Sequence, residues 1–347
     1  MKSEGKLMKK VLFASTALLA TAGMAAAEVT LDGFGRFGLF YQEGTDATLG
    51  NDDVRIEQRF RLTITGVAES DAGVKFEGRI RFQTDDQANG NSNIARRSAA
   101  GFAVSTGGFR LDVGNVSDVI DSGDVVNFYG FGVGLTSFAE QSSGYNLGFV
   151  DSGNATTEAS TGAVSGFGVS GDDSLIIPTV KLRYTAGDFT VSASVTDGVL
   201  GTQTATAAST YQEYQLGVGY TFGDYSVGVA FGSNEIETSD GGAVTTVDND
   251  FWALSFGGSI GAFAFSILVA DDDQAGVDTR YGASVKYDVS DATEIRFVFA
   301  DSGVDSNDET VAIGFRHSLG GGVSLRGGIG QNTGGNTVAD LGVIFNF

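Results

Sequence analysis

The sequence predicts an all-β fold, a transmembrane antiparallel β-barrel of about sixteen strands. Three observations predict it. Apolar and polar residues alternate within segments along most of the chain. The connections that join these segments are short and long in turn. The polar face of these segments also carries too much charge to be a packed core.

The composition excludes several classes of protein before any motif is considered. The 347 residues include 52 Gly, one Pro, one His and no Cys, and the formal net charge is −22. Without cysteine there are no disulfides and no thiolate metal sites. A chain this acidic lacks the basic footprint of a nucleic-acid-binding protein, so we expect no nucleic-acid partner.

Residues 1–27 have the pattern of a cleaved signal peptide. Lys9 and Lys10 precede a short apolar run, and three alanines follow it directly before Glu28. We therefore expect export and a mature chain, 28–347, that forms a single barrel domain. A membrane anchor is the alternative reading of the leader, although its apolar run is short for a spanning helix.

The alternation is clearest in the first three strands. In the first strand Val29, Leu31 and Phe37 share one face, and Arg36 lies on the other. The segments around 54–65 and 74–83 repeat the scheme with apolar residues opposite arginines and glutamates. The same criterion places the other strands near 97–105, 109–115, 178–185, 189–196, 212–222, 225–232, 250–260, 262–270, 279–288, 293–300, 308–317, 323–331 and 337–347.

The connections between these segments fall into two sets that alternate along the chain. The short ones are 106–108, 186–188, 223–224, Gly261, 289–292 and 318–322. The longer, acidic ones are 42–53, 84–96, 116–177, 197–211, 233–249 and 271–278. A membrane barrel needs this order, because its tight turns lie on one side and its long loops on the other. Both termini then lie on the turn side, where the last strand can pair with the first.

The polar face of the strands predicts an aqueous pore. It carries Arg, Glu, Thr, Ser, Lys and Gly, whereas the opposite face is apolar. A barrel of about sixteen strands is wide enough to hold water. A polar lumen inside an apolar exterior is therefore a channel.

Four segments resemble the general porins of alphaproteobacteria. They are the opening residues 28–36, the segments 185–191 and 220–228, and the ending 338–347. The resemblance implies a homotrimer in the Gram-negative outer membrane, in contact with lipid and lipopolysaccharide, that crosses the membrane many times. It also implies passive passage of small hydrophilic solutes and ions, with the third loop, 116–177, folded inward as a constriction.

Seven cations from the first three strands are candidates for one wall of this constriction, because the alternation points all of them into the lumen. They are Arg36, Arg55, Arg59, Arg61, Lys75, Arg79 and Arg81. Guanidinium suits such a wall because it stays charged at every physiological pH. The alternative is that these cations are solvated and paired with Glu57 and Glu77.

Four acids of the long third loop are candidates for the opposing wall: Asp118, Asp121, Asp124 and Glu140. If the loop folds inward, we expect their carboxylates to face the arginines across the narrowest point. The resulting transverse field would orient dipolar solutes, and charged rings of this kind set selectivity in pores.

The acidic loops predict a weak cation preference, because a negative rim concentrates cations. Asp271, Asp272 and Asp273 offer hard oxygen ligands that suit calcium, the one cofactor that the sequence suggests. A solvated acidic rim without bound metal is the alternative.

Three other functions remain to be weighed against a general porin. A substrate-selective channel for sugars would need aromatic residues in the lumen, and one for phosphate would need basic loops. A barrel enzyme would need a histidine near the outer rim, but His317 lies on the expected turn side, so we expect no enzyme. A structural or adhesive barrel would need a plugged interior.

Overall fold

The computed structural model describes residues 28–45, 52–86, 91–143, 177–200 and 207–347. The expected signal peptide, residues 1–27, lies outside the described residues. Within the described ranges, no helix is long and apolar enough to cross a membrane.

The described residues form sixteen strands, and the all-β prediction is confirmed. Two short segments, Arg96–Arg97 and Gly101–Thr106, both pair with β3 and together make β4. The strands are β1 Glu28–Gln42, β2 Val54–Glu69, β3 Lys75–Asp85, β4 as above, β5 Phe109–Gly114, β6 Thr179–Ala186, β7 Phe189–Leu200, β8 Ala207–Phe222, β9 Tyr225–Asp240, β10 Ala243–Ile260, β11 Phe263–Asp272, β12 Arg280–Ser290, β13 Thr293–Asp301, β14 Thr310–Gly320, β15 Val323–Gln331 and β16 Thr337–Asn346.

The sheet closes into a barrel because β1 pairs with both β2 and β16. Every neighbouring pair is antiparallel, and the closing register places Leu39 opposite Leu341. Just after β16, the backbone of Phe347 exchanges hydrogen bonds of 3.0 and 3.1 Å with that of Gly33 in β1. Closure leaves no strand edge without a partner, as a sheet in lipid requires.

The two faces of the wall differ as the alternation predicts. On β2, Ile56 is 63% exposed on the outer face, whereas its neighbour Glu57 is 2% exposed on the inner face. Aromatic rings pack against one another on the outer face where short turns join the strands, for example Phe109 on Tyr184 at 4.3 Å between ring centroids. Such rings suit a membrane–water interface.

We call the end of the barrel with the short connections the turn end and the opposite end the loop end. At the turn end, β4 and β5 are joined through Gly107 and Gly108, whose φ angles are 55° and 86°. Positive φ at both central residues makes a two-residue hairpin that fits the twist of the strands.

The prediction of a long loop over 233–249 is wrong. The strands β9 and β10 continue to Asp240 and from Ala243, which face each other across a turn at Gly241 and Gly242. These two glycines have φ angles of 56° and 91°, so they form a hairpin turn of the same kind. The polar residues on both sides belong to paired strands that extend past the apolar belt.

Residues 116–143, here called the inner loop, fold into the barrel. Its apolar side chains Val119, Ile120, Val126 and Phe128 are at most 2% exposed. They pack against small or apolar residues on the inner face of β9 to β13: Ala230, Phe251, Ala253, Leu268, Ala270 and Ala300. The expectation of an inward-folded third loop is therefore confirmed for its described part, and residues 144–176 lie outside the described residues.

Candidate functional site

The seven predicted cations all lie on the inner face of β1, β2 and β3. Arg36 and Arg59 are directly opposite each other across β1 and β2, near the middle of the wall. Lys75 begins β3 at the turn end, and Arg55 lies near the loop end of β2. The cations thus span the height of the lumen, and we call them the basic ladder.

Like charges placed directly opposite on neighbouring strands destabilise a sheet, and acids of the same wall offset this. Arg36 donates to Glu57 at 2.5 Å, and Arg59 pairs with Asp85. At the loop end Arg55 donates to Asp86 at 2.8 Å. The pairing of Arg36 with Glu57 matches the alternative reading of the ladder, whereas Glu77 accepts from Arg110 at 2.8 Å.

The acids of the inner loop do not form one row facing the ladder, which corrects the expectation for three of them. Asp118 is fully buried and accepts a hydrogen bond of 2.8 Å from the backbone N–H of Asp121. Asp124 pairs with Lys181 of β6 at 2.6 Å and also with Arg183. Although burial opposes it, these two cations hold the pKa of Asp124 below its usual range.

Asp121 is the predicted acid that the structure does relate to the ladder, because it lies close enough to Arg81 for electrostatic attraction. Its carboxylate accepts a hydrogen bond of 2.6 Å from the hydroxyl of Tyr129. Burial, and then the charge of Asp121, raise the pKa of that hydroxyl above its usual range. Tyr129 therefore stays protonated and fixes the direction of the carboxylate.

Glu140 lies on a different side of the lumen, beside Arg316 of β14. Burial raises the pKa of this carboxyl to about 7, although the charge of Arg316 acts to lower it. Glu140 therefore changes its charge near neutral pH, in the part of the inner loop that lies beside β14.

The inner loop is held in place by polar side chains of the wall that sequence reasoning missed. Asp340 of β16 accepts hydrogen bonds from the backbone N–H groups of Leu135 and Thr136, both at 2.8 Å. On the same path, Phe131 N donates to Ser284 of β12 at 2.9 Å. The one available signal was the alternation, which places Asp340 and Ser284 in the lumen without identifying their partners.

Sequence reasoning also missed a second group of cations on the inner wall. Arg296, Arg316 and Arg326 lie on the inner face of β13, β14 and β15, and Arg296 donates to the carbonyl of Gly132 in the inner loop at 3.1 Å. The same alternation that revealed the ladder identifies these arginines. These three arginines lie ten or more residues apart along the chain, so no local cluster of charge marks them in the sequence.

The three acids proposed for calcium point to different partners. Asp272 is fully buried, with a carboxylate oxygen 2.7 Å from Nη1 of Arg280. Asp271 accepts from the hydroxyl of Thr279 at 2.7 Å, and Asp273 accepts from the backbone of Asp250 at 3.0 Å. No group of three or more metal-ligating side chains occurs among the described residues. Calcium binding here stays a prediction.

Together these features make a barrel lumen that the inner loop crosses and that fixed charges of both signs line. The ladder lies on β1 to β3, and the inner loop crosses the lumen along β7 to β14 and reaches β16. Fixed charges of both signs along the path favour hydrated polar solutes, since an apolar solute cannot replace the ordered water.

Comparisons with known proteins agree with this architecture. A family profile described as Gram-negative porin matches residues 14–337. A porin of Fuscovulum blasticum is 29% identical over 334 residues, which cover 92% of this chain and 100% of that protein. A porin of Rhodobacter capsulatus is 30% identical over 193 residues, or 49% of this chain and 62% of that protein. A solved triple mutant of the Rhodopseudomonas blastica porin superimposes with a TM-score of 0.67 and 24% identity, covering 92% of this chain and 100% of that chain.

Proposed function

This chain belongs to the Gram-negative porin family and forms a general diffusion channel across the outer membrane, and we propose that the channel weakly prefers cations. The inner loop carries this proposal, because it crosses the lumen and brings the carboxylate of Asp121 close enough to Arg81 of the ladder for electrostatic attraction. The proposal gives the lumen a conducting role and no catalytic one.

The balance of charges supports the cation preference. Several ladder arginines already have acids of the wall as partners, as in the ion pairs Arg36–Glu57 and Arg55–Asp86. This pairing reduces the repulsion that the wall exerts on a passing cation. The formal net charge of −22 is concentrated at the loops, where it raises the local concentration of cations.

We also propose that the channel is a homotrimer exported by its signal peptide and surrounded by lipid and lipopolysaccharide. The resemblance of the sequence to trimeric general porins supports this assembly. Mass determination of the detergent-solubilised protein by light scattering is expected to give three chains per particle, and a monomer would contradict it. Mass spectrometry of the mature N-terminus is expected to find Glu28 first.

A planar-bilayer recording under a KCl gradient tests the proposed function. Large ohmic steps with a mildly cation-positive reversal potential are expected from a water-filled channel. A clear anion preference would contradict the selectivity while leaving the channel intact. If heat-modifiable, correctly folded protein gave no steps, the lumen would be plugged and the reading of a structural or adhesive barrel would replace this one.

A further inference from the structure

A polar cavity of about 270 Å³ opens on the inner wall where β12 to β15 approach the turn end. Two guanidinium groups, Arg316 and Arg326, lie on its wall together with the hydroxyls of Thr293, Ser318 and Ser324. Its volume is just below the range of drug-sized pockets, so it suits a small solute. Its acidic lining residues are Asp288, Asp291 and Glu294.

Most of the charges around this cavity already have partners. Asp288 lies 3.1 Å from Nζ of Lys286, and Glu294 lies 2.6 Å from Nη2 of Arg296. These two pairs neutralise two of the three acids and leave Asp291 in the turn between β12 and β13. The other charges of the lining are therefore those of Asp291, Arg316 and Arg326.

Arg316 has hydrogen-bonding capacity to spare. Its Nε is buried and, within the described part of the chain, has no hydrogen-bond partner, and this nitrogen is 3.9 Å from a carboxylate oxygen of Glu294. Its Nη2 reaches the carbonyl of Gly132 only at 3.5 Å. The Arg316 side chain as a whole stays 23% exposed, so the part of its guanidinium that faces the cavity can donate a charge-assisted hydrogen bond to an oxygen supplied by a solute.

Arg326 offers a second guanidinium to the same cavity. Its Nε donates to the hydroxyl of Ser324 at 3.0 Å. Two guanidinium groups and adjacent hydroxyls are the donor set that binds phosphate and carboxylate oxygens, often through paired hydrogen bonds. Glu140 is the inner-loop acid that faces Arg316, and Gly132 of the same loop contacts it, so the cavity lies directly beside the constriction.

We propose that this cavity is a binding site for the phosphate or carboxylate group of a small solute, held by Arg316 and Arg326 during passage. The inference rests on the proposed function, because the site lies on the wall of a conducting lumen. It adds to the ladder a second group of cations on β14 and β15, which only β16 separates from β1.

The test is a titration of KCl current with inorganic phosphate, added to both sides of a planar bilayer at constant KCl. Binding in the lumen is expected to add current noise and to lower the conductance with a saturating dependence on phosphate. The double variant Arg316→Gln with Arg326→Gln should raise the half-saturating phosphate concentration about tenfold or more, as loss of a charge-assisted hydrogen bond does. The same titration with succinate in place of phosphate tests whether the site binds a carboxylate group.

The matched control is Arg110→Gln with Arg183→Gln. It removes the same charge near the turn ends of β5 and β6, where Glu77 and Asp124 already partner the two guanidinium groups. We expect its half-saturating concentration to stay within about twofold of the wild type, the effect of a screened remote charge. An equal shift in both double variants, or a wild-type current unaffected by both phosphate and succinate, would overturn the site.

Steps in KCl alone are recorded first, so that failure of the channel is separated from failure of the site. If the double variant does not fold to a heat-modifiable barrel, Arg326→Gln alone is measured. Its half-saturating concentration should rise at least about threefold, and an unchanged value would contradict the role of Arg326.

Discussion

Asp340 ties the inner loop to the barrel by three hydrogen bonds from two residues. The N–H groups of Leu135 and Thr136 and the hydroxyl of Thr136 all donate to it at 2.8 Å. Removal of this carboxylate would leave the donors without an acceptor, and each buried donor without an acceptor costs about 1–3 kcal/mol. Asp340 is therefore the main polar anchor of the loop at Leu135 and Thr136.

Asp340→Ala should loosen the inner loop while the barrel wall stays paired. We expect greater open-channel current noise in KCl and a lower thermal midpoint of heat modifiability. Asp32→Ala is the control, since it removes an exposed carboxylate from the inner face of β1. Noise in Asp340→Ala no greater than in Asp32→Ala would contradict the role of Asp340 as an anchor.

Glu140 gives the channel a pH dependence at neutral pH. Burial raises the pKa of its carboxyl to about 7, so it is neutral at pH 5.5 and negative at pH 8.5. The reversal potential should therefore shift towards cation preference as the pH rises through about 7, and Glu140→Gln should remove most of this shift. Glu43→Gln is the control, because the pKa of exposed Glu43 is lowered by its hydrogen bonds to Thr337. A shift of full size in Glu140→Gln would assign the titration to another group.

How far the sequence predicts single residues depends on whether they lie in strands. The strand period fixes the direction of a side chain, so the lumen position of Arg36, Arg59 and Arg81 was predictable. A loop has no such period, and the partners of Asp118 and Asp124 depend on how the inner loop turns inside the barrel. Those partners could not be read from spacing.

At the scale of elements, the inner loop and the strands that it packs against, β9 to β14, are matched in shape. A Cβ added to Gly228 of β9 would lie 1.6 Å from the carbonyl oxygen of Val125, and one added to Gly282 of β12 would lie 2.0 Å from that of Gln141. Small residues on the inner face of β9 to β14 are therefore where the backbone of the loop approaches. The sequence shows that these residues are small, but only the position of the inner loop explains why they must be small.

Gly228→Ala should displace the inner loop or destabilise the barrel, because the added methyl overlaps a backbone carbonyl. Overpacking of this kind costs about 1–3 kcal/mol. We expect a lower midpoint of heat modifiability and an altered single-channel conductance. Gly66→Ala of β2 is the matched control, since the nearest atom to its added Cβ is 4.0 Å away. Equal midpoints in the two variants would show that the loop does not press on β9.

The hairpin of β9 and β10 shows where reading elements from sequence fails. Above the apolar belt both faces of a strand meet water, so the alternation of apolar and polar residues disappears while the backbone pairing continues to Asp240 and Ala243. Polar sequence therefore resembles a loop here, and the glycine pair at 241–242 is the one local signal of the true turn.

At the scale of the whole molecule, the charges are segregated. Described cations concentrate on the inner wall, as in the ladder and the arginines of β13 to β15, whereas the loops are acidic and the formal net charge is −22. A solute therefore meets a negative mouth first and a mixed lumen afterwards. The two regions are separated in space, so salt should affect them differently.

Cation preference should fall as KCl concentration rises, because charges at the mouth are screened by ions. The Debye length is about 30 Å at 0.01 M salt and about 3 Å at 1 M, so the field of the loops covers the pore mouth only at low salt. Reversal potentials at a fixed KCl ratio are expected to decline towards zero across this range. Charges at the constriction lie within a few ångströms of a passing ion and are screened much less. A preference that persists undiminished at 1 M would place its origin at acids of the constriction, such as Asp121, rather than at the acidic loops.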